Sequence, residues 1–140
     1  VAAGFDLFDC ALPTRVARNG AVFTSTGRQD ITKAHFKEER GPLEPGCDCS
    51  TCATFDAAYV HHLFRARELL AYRLATVHNL RFYQRLMERM RQAIQQGTFQ
   101  EFRRAFHARY TPALEEARLE QRRRWRQSRR ANQVFYPEES

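Results

Sequence analysis

The residues with the clearest chemistry are three cysteines within six positions, Cys47, Cys49 and Cys52, followed further along the chain by His78. Thiolate and imidazole groups are ligands that zinc accepts in a tetrahedral shell, and such crowded thiols favour a metal in a reducing compartment over disulfides. Four protein ligands leave no open position for a substrate. The pattern therefore predicts one structural zinc ion rather than a reaction centre.

The spacing alone leaves the fourth ligand open among three histidines. His61 and His62 lie nearer to the cysteines, whereas His78 lies 26 residues beyond Cys52. His78 reaches the metal only if a helix folds back over the cysteines. Each of the three also has an ordinary interpretation as a surface or helix-packing residue.

A second candidate for chemistry is Asp9, which interrupts a mostly apolar run from Phe5 to Leu12. Such a run is typical of a strand that is buried on both faces, and burying an unpaired carboxylate is costly. Asp9 is therefore either a nucleophile or general base at the open end of the strand, or a structural carboxylate that accepts hydrogen bonds from backbone N–H groups.

Arginines follow Asp9 in the segment Pro13–Gly20, whose proline and Asn-Gly pair predict an exposed loop. Arg15 and Arg18 would lie on the same face of the protein as Asp9. Their guanidinium groups can bind the phosphates or base edges of a nucleic acid there. The alternative is an ordinary solvated loop. The loop therefore supports a nucleic-acid site only in combination with other observations.

Further elements must position these residues. We expect a hairpin from Ala21–Ser25 and Arg28–Thr32, and a helical region from Thr54 to Gln96 that breaks near Thr76. Thr98 to Glu101 has the pattern of a capping box and predicts a short final helix. A parallel strand needs neighbours, and no second such strand follows, so we expect a C-terminal fragment of a larger α/β protein. Val1 in place of a start methionine agrees with this expectation.

The composition favours an anionic partner. Lysine and arginine number 23 against 16 acidic residues, which gives a net charge of +7. A solvated basic surface is the alternative. With 43% hydrophobic residues the 140-residue chain can support a core, and no apolar stretch indicates membrane insertion or secretion. We therefore expect a cytoplasmic protein without a membrane partner.

Six blocks of residues follow one another along the chain. They are Phe8-Asp9-Cys10, Pro13-Thr14-Arg15-x-Ala17-Arg18-Asn19-Gly20, Gly41-Pro42-Leu43, Cys47-Asp48-Cys49-x-Thr51-Cys52, Tyr59-x-His61-His62-Leu63 and His78-Asn79-Leu80-Arg81-Phe82-Tyr83-Gln84-Arg85-Leu86-Met87. In this order they resemble the C-terminal part of the tRNA-guanine transglycosylases, the queuine tRNA-ribosyltransferase family, of the bacterial type. The resemblance runs from about Gly4 to Tyr110 and leaves the arginine-rich end outside. It implies a fragment of a TIM (β/α)8 barrel that carries a mostly helical zinc subdomain.

The resemblance also implies the division of the chain and the activity. It implies the last barrel strand and tRNA-recognition loop in residues 1–20, the zinc subdomain in 21–75, the final helices in 76–110 and an extension in 111–140. Members exchange guanine at the wobble position of tRNA with a GUN anticodon for a 7-deazaguanine, either preQ1 or queuine. The full-length protein is expected to be a homodimer.

The roles of individual residues follow from the same resemblance. Asp9 matches the nucleophile that forms a covalent bond to the ribose, and the zinc ligands are Cys47, Cys49, Cys52 and His78. The residues that match the tRNA-binding loop are Thr14, Arg15, Val16, Ala17 and Arg18. The general acid/base and the base pocket have no counterpart here, so the chain alone is expected to be inactive. The competing hypothesis is a zinc-stabilised, non-catalytic tRNA-binding or partner subunit.

Overall fold

The computed structural model of the chain describes residues 3–5, 7–110 and 123. Within this part the protein is mostly helical, with one two-stranded sheet. The elements are α1 (Leu12–Ala17), β1 (Ala21–Thr24), β2 (Gly27–Asp30), a 3₁₀ helix (Ala34–Glu38), α2 (Ser50–Thr54), α3 (Ala57–Ala66), α4 (Leu69–Gln95) and α5 (Phe99–Arg109). No described helix is long and apolar enough to span a membrane.

The segment before α1 does not form the predicted strand. Residues 7–11 have no regular secondary structure, and Leu7 and Phe8 are 93% and 58% exposed. A parallel strand is held by hydrogen bonds to neighbouring strands, and the part of the chain that the structure describes supplies no such neighbour. The predicted barrel strand is therefore not observed. The predicted extension at 111–140 lies outside the residues that the structure describes, apart from residue 123.

The predicted loop after this segment is instead the short helix α1. Pro13 occupies its first turn, where the missing N–H and fixed φ of proline are tolerated. Val16 and Ala17 are buried beneath it, and Gly20 ends the turn that follows with a φ of 75°. The loop prediction was wrong because the proline and the Asn-Gly pair mark the two ends of a helix.

The predicted hairpin is confirmed. β1 pairs with β2 in antiparallel register, with Val22 opposite Gln29 and Thr24 opposite Gly27. The Thr24 hydroxyl donates to the carbonyl oxygen of Gly27 at 2.8 Å, which closes the turn. Gly27 has a φ of 145°, a conformation that residues with a side chain rarely adopt.

The helical region breaks earlier than predicted. α3 ends at Ala66, and the next residue, Arg67, reverses the chain with a left-handed φ of 59°. The amide of Glu68 donates to the Leu63 carbonyl at 2.9 Å. Thr76 lies inside α4. The break was missed because an arginine rather than a glycine adopts the left-handed conformation of this C-terminal cap.

The other end of α4 follows the prediction. Gly97 has a φ of 71°, and the amide of Thr98 donates back to the Ala93 carbonyl at 2.8 Å. α5 then begins at Phe99, as expected. The capping-box hydrogen bond is not formed, because the Thr98 side chain donates to the Ala93 carbonyl at 3.4 Å instead.

α4 is the element against which most of the fold packs, since it contacts α1, β1, α2, α3 and α5. Its buried residues Ala71, Leu74 and Ala75 contribute to the main apolar cluster together with Ile31 and Val60. A smaller cluster forms where Phe82 and Tyr83 pack on Phe23 of β1, and its members are Val16, Ala21, Phe23, Phe82, Tyr83 and Tyr110. α4 therefore connects the hairpin to the cysteine segment.

Candidate metal centre

The cysteine segment is a tight turn that leads into α2. Gly46 precedes it with a φ of 74°, and the Cys47 amide donates to the Glu44 carbonyl at 3.1 Å. Cys49 is the N-terminal cap of α2, and its sulfur accepts a hydrogen bond from the Cys52 amide at 3.3 Å. The turn at Cys47 and the first turn of α2 together bring the three cysteine sulfurs to the same side of this segment.

The four predicted ligand atoms converge. The three cysteine sulfurs and a ring nitrogen of His78 all lie within 4.8 Å of one another. The distances from His78 Nδ1 to the sulfurs of Cys47, Cys49 and Cys52 are 3.7, 3.8 and 3.3 Å. A tetrahedral zinc ion with ordinary bond lengths gives N–S separations of roughly 3.5 Å. The cluster therefore fits one structural zinc ion.

His78 presents the correct nitrogen for a metal. Its ring is fully buried, and Nε2 lies 2.8 Å from the carbonyl oxygen of Phe23. Because a carbonyl only accepts, Nε2 carries the proton and Nδ1 keeps its lone pair directed at the sulfurs. A histidine ligand is commonly oriented in this way by a hydrogen bond to its second nitrogen.

The thiols share their protons unequally. A hydrogen bond from Cys52 is the main cause that lowers the pKa of Cys49, to about 3. The same hydrogen bond raises the pKa of Cys52, and burial raises the pKa of Cys47. The hydrogen bond between Cys49 and Cys52 thus favours the thiolate at Cys49 over the thiolate at Cys52. Because zinc binds thiolates, metal binding would release protons from this cluster.

The other two histidines are excluded as ligands by their contacts. His61 is buried, and its Nδ1 donates to the Ile31 carbonyl at 2.8 Å, which makes it part of the core. His62 is exposed, and neither ring belongs to the converging group. The assignment of His78 as the fourth ligand is thereby supported by the geometry.

Asn79, the residue after His78, was not identified from the sequence as part of this site. It is fully buried, and its side-chain oxygen accepts from the Phe23 amide at 2.9 Å. Its side-chain nitrogen donates to the carbonyls of Pro13 and Ala21 at 3.0 and 2.9 Å. One buried amide thus joins α4 to both α1 and β1. Only its position beside a predicted ligand could have drawn attention to it.

A charged contact joins the cysteine turn to α4. Arg81 Nε donates to one oxygen of Asp48 at 2.9 Å, and a terminal nitrogen donates to the other at 2.6 Å. This hydrogen bond is the main cause that lowers the pKa of Asp48 to about 2. Within the turn, Thr51 also donates to the buried Leu74 carbonyl at 2.9 Å. The turn is therefore attached to α4 by side chains as well as by the ligand cluster.

Asp9 and the predicted tRNA-binding residues lie outside this cluster. Asp9 is exposed, and no described residue forms a hydrogen bond or ion pair with its carboxylate. On α1, Arg15 is exposed and Thr14 is half-buried, whereas Val16 and Ala17 are 6% and 0% exposed. Arg18, which follows the last residue of α1, is also exposed. The side chains of Val16 and Ala17 thus anchor α1 rather than face solvent.

Comparison with known proteins gives a consistent result. The family model for queuine tRNA-ribosyltransferase matches residues 1–112. A queuine tRNA-ribosyltransferase of Dehalococcoides mccartyi (strain BAV1) is 51% identical over 125 residues, and one of Dictyoglomus turgidum is 49% identical over 125 residues. These matches cover 89% of this chain and 32% of each relative. The chain thus spans about a third of the length of these relatives.

The similarity extends further than the sequence blocks indicated. The match to a second Dehalococcoides mccartyi relative (strain 195) is 50% identical over 129 residues, which is 92% of this chain. Within a chain of 140 residues, such a match must include part of the arginine-rich extension after residue 111. With the family model matching residues 1–112 and a Cys₃His cluster that fits zinc, the chain belongs to the queuine tRNA-ribosyltransferase family.

Proposed function

We propose that this chain is part of a tRNA-guanine transglycosylase, which exchanges the wobble guanine of a tRNA with a GUN anticodon for a 7-deazaguanine, preQ1 or queuine. The observation that carries the proposal is about 50% identity to bacterial queuine tRNA-ribosyltransferases, combined with a family match that includes Asp9 and α1. Since the chain spans about a third of these relatives, the activity is proposed for the intact protein, and this chain alone is expected to be inactive.

The proposed nucleophile is Asp9. Its carboxylate oxygen attacks C1′ of the ribose, the bond from C1′ to the guanine nitrogen breaks, and guanine leaves with a proton supplied by a general acid elsewhere in the intact protein. The nitrogen of the incoming 7-deazaguanine then attacks C1′, loses a proton and releases the Asp9 carboxylate. The exposed position of Asp9 agrees with a group that must meet a macromolecular substrate.

The proposed tRNA contacts come from α1 and from Arg18, which follows it. Arg15 and Arg18 are exposed and can bind phosphates or base edges, and Thr14 offers a hydroxyl. Because Val16 and Ala17 are buried, we propose that they contribute through their backbone and by holding α1 in place. The target guanine must leave its stack to reach a carboxylate, and α1 would hold the anticodon loop around it.

The proposed role of zinc is structural. Cys47, Cys49, Cys52 and His78 would fill its coordination shell, so the ion supplies cross-linking rather than Lewis-acid chemistry. His78 and Asn79 hold β1, Asn79 also holds Pro13 of α1, and the metal centre would thereby position Arg15 and Arg18. No chemical step requires the metal itself.

The test uses the intact protein, a cognate tRNA transcript and radiolabelled guanine. We expect incorporation of labelled guanine into the tRNA. When the protein and tRNA are incubated without any free base, we also expect a protein–tRNA adduct that survives denaturation. Asp9→Asn should abolish both, whereas Glu38→Gln, which neutralises an exposed carboxylate on the 3₁₀ helix, should change neither. Exchange that persists in Asp9→Asn would refute the assignment of the nucleophile.

The same experiment addresses the alternative of a non-catalytic partner subunit. Such a subunit would bind tRNA without forming an adduct, and exchange would appear only after a second family member is added. The base that is used can be identified by competing preQ1 and queuine against labelled guanine. We further propose that the intact protein is a homodimer and that it lies in the cytoplasm. Light scattering coupled to size exclusion would test the homodimer by its mass.

A further inference from the structure

A groove between α4 and α5 is lined by positively charged and aromatic side chains that the proposed catalysis does not use. Its cavity has a volume of about 210 Å³. This is several times the share of about 30 Å³ that one water molecule occupies in the liquid. The residues of this α4–α5 groove that matter here are Glu44, Arg85, Arg89, Phe102, Phe106 and Arg109. The cavity thus has room for a phosphate group.

The helical spacing explains why these residues face one another. Arg85 and Arg89 are four residues apart on α4, and Phe102, Phe106 and Arg109 follow one face of α5 at intervals of four and three. The rings of Phe102 and Phe106 stack with centroids 6.4 Å apart. Two helices therefore supply cationic groups beside an aromatic surface.

The arginines in the groove are poorly compensated by acidic groups. Arg89 and Arg109 form no ion pair with any described residue. Arg85 has only a long contact of 4.0 Å to Asp48, whose two oxygens are already bound by Arg81 at 2.9 and 2.6 Å. Neighbouring guanidinium groups repel one another, so an anion in the groove would be favoured.

The single carboxylate in the groove does not cancel this charge. Glu44 is 8% exposed, and its Oε1 accepts a hydrogen bond from the Ser25 amide at 2.6 Å. This hydrogen bond therefore stabilises the turn of the hairpin. The three guanidinium groups that line the groove outnumber this one carboxylate. The aromatic rings lower the local dielectric constant and strengthen the attraction of an anion.

We propose that the α4–α5 groove binds a backbone phosphate of RNA, with Phe102 or Phe106 in contact with the adjoining ribose or base. Arginine binds phosphate oxygens bidentately, and aromatic rings beside basic residues are a recurrent feature of RNA-binding surfaces. The proposal rests on the proposed function in naming tRNA as the RNA. It adds a contact apart from the anticodon-binding helix α1.

The test measures binding of a cognate tRNA transcript to the intact protein by fluorescence anisotropy over a range of KCl concentrations. The double variant Arg89→Gln/Arg109→Gln should weaken binding about tenfold at low salt and reduce the slope of log K against log salt by about two. The matched control is Arg91→Gln/Arg104→Gln, which removes two exposed charges from the same helices outside the groove. The control should change binding by less than about twofold.

A third variant and a measurement of folding complete the test. Arg89→Lys/Arg109→Lys keeps the charge and should retain the salt slope, and all variants should show the same zinc content and thermal midpoint. An equal loss in both glutamine pairs, or an unchanged slope in the groove pair, would overturn the proposal. Guanine exchange is measured separately on the parent protein and on every variant. If the parent exchanges guanine but the groove variants bind tRNA as tightly as it does, the groove proposal fails and the proposed function stands. If the groove variants bind tRNA more weakly but neither they nor the parent exchange guanine, the groove proposal stands and the proposed function fails.

Discussion

The metal centre and the segment that carries Asp9 differ in how completely this chain builds them. At the metal centre, all four ligands converge within 4.8 Å, and buried hydrogen bonds support His78 and its neighbour Asn79. Asp9 instead lies in an exposed segment without regular structure between residues 7 and 11. Asp9 and the first zinc ligand, Cys47, are 38 residues apart in sequence, and the two regions differ in what surrounds them.

The difference shows where each site obtains its support. A metal cross-link and a helix that packs on it can form from one stretch of chain, because every ligand and every orienting hydrogen bond lies within residues 13–81. A carboxylate in a parallel strand depends on neighbouring strands, which the described residues do not include. We therefore expect changes at the metal centre to alter stability and changes at Asp9 to alter only chemistry.

The largest effect on stability is expected from His78→Ala. The substitution removes one zinc ligand and the hydrogen bond to the Phe23 carbonyl, and structural zinc sites contribute roughly 10 kcal/mol or more to folding. Zinc per chain should fall from about one to near zero, and thermal unfolding should lose its cooperative transition. His62→Ala, at an exposed ring, is the control and should keep both. A full zinc content in His78→Ala would contradict the assignment.

The next largest effect is expected from Asn79→Ala. Three buried backbone groups would lose their partners, at about 1–3 kcal/mol each, so the free energy of unfolding should fall by about 3 kcal/mol or more. Urea denaturation followed by circular dichroism would measure this change. Asn19→Ala, at an exposed amide with a hydrogen bond of 3.5 Å, should cost less than about 0.5 kcal/mol. An equal decrease in the free energy of unfolding in both variants would show that the three hydrogen bonds of Asn79 contribute no more to stability than the single long hydrogen bond of Asn19.

A smaller effect is expected from Arg81→Ala. The substitution removes the paired hydrogen bonds to Asp48, but these groups lie near solvent, where water and salt weaken an ion pair. The thermal midpoint should fall less than in Asn79→Ala, and 0.5 M NaCl should reduce the difference from the parent protein. The exposed Arg91→Ala is the control on the same helix. A loss of zinc as complete as in His78→Ala would mean that this contact, rather than coordination, holds the turn.

The smallest effect on stability is expected from Asp9→Asn. No described group pairs with this carboxylate, so the free energy of unfolding should change by less than about 0.5 kcal/mol and zinc content should not change. The same variant should nevertheless lose guanine exchange if the proposed function is correct. A substantial loss of stability would instead show that Asp9 is a structural carboxylate. The segment that carries Asp9 would then contribute to stability, as the metal centre does.

The sequence predicted those features whose determinants are local. The Cys₃His set, the turn beside Gly27 and the end of α4 at Gly97 each depend on residue types with narrow chemistry or backbone preference. The break at Arg67 was missed because arginine rarely adopts its left-handed conformation. The choice of His78 over His61 came from family resemblance, since spacing carries no information about which ring nitrogen already has a partner.

Tertiary context decided the remaining differences. Pro13 and Asn19-Gly20 punctuate a helix rather than a loop because Val16 and Ala17 find a buried surface between them. The apolar run before α1 has strand composition, yet composition cannot supply the neighbouring strands that would pair with it. The role of Asn79 depends on three backbone groups that are 56 to 66 residues away, and no local pattern indicates such contacts.

The hydrogen bonds of His78 and Asn79 have a consequence for self-association. β1 pairs with β2 along one edge, and its other edge carries the amide of Phe23 and the carbonyls of Ala21 and Phe23. Two consecutive side chains of a helix bind all three groups, as a neighbouring strand would. An uncovered edge is a template for pairing with another chain and for aggregation. His78 and Asn79 thus also close the β1 edge of the sheet against the addition of a further strand.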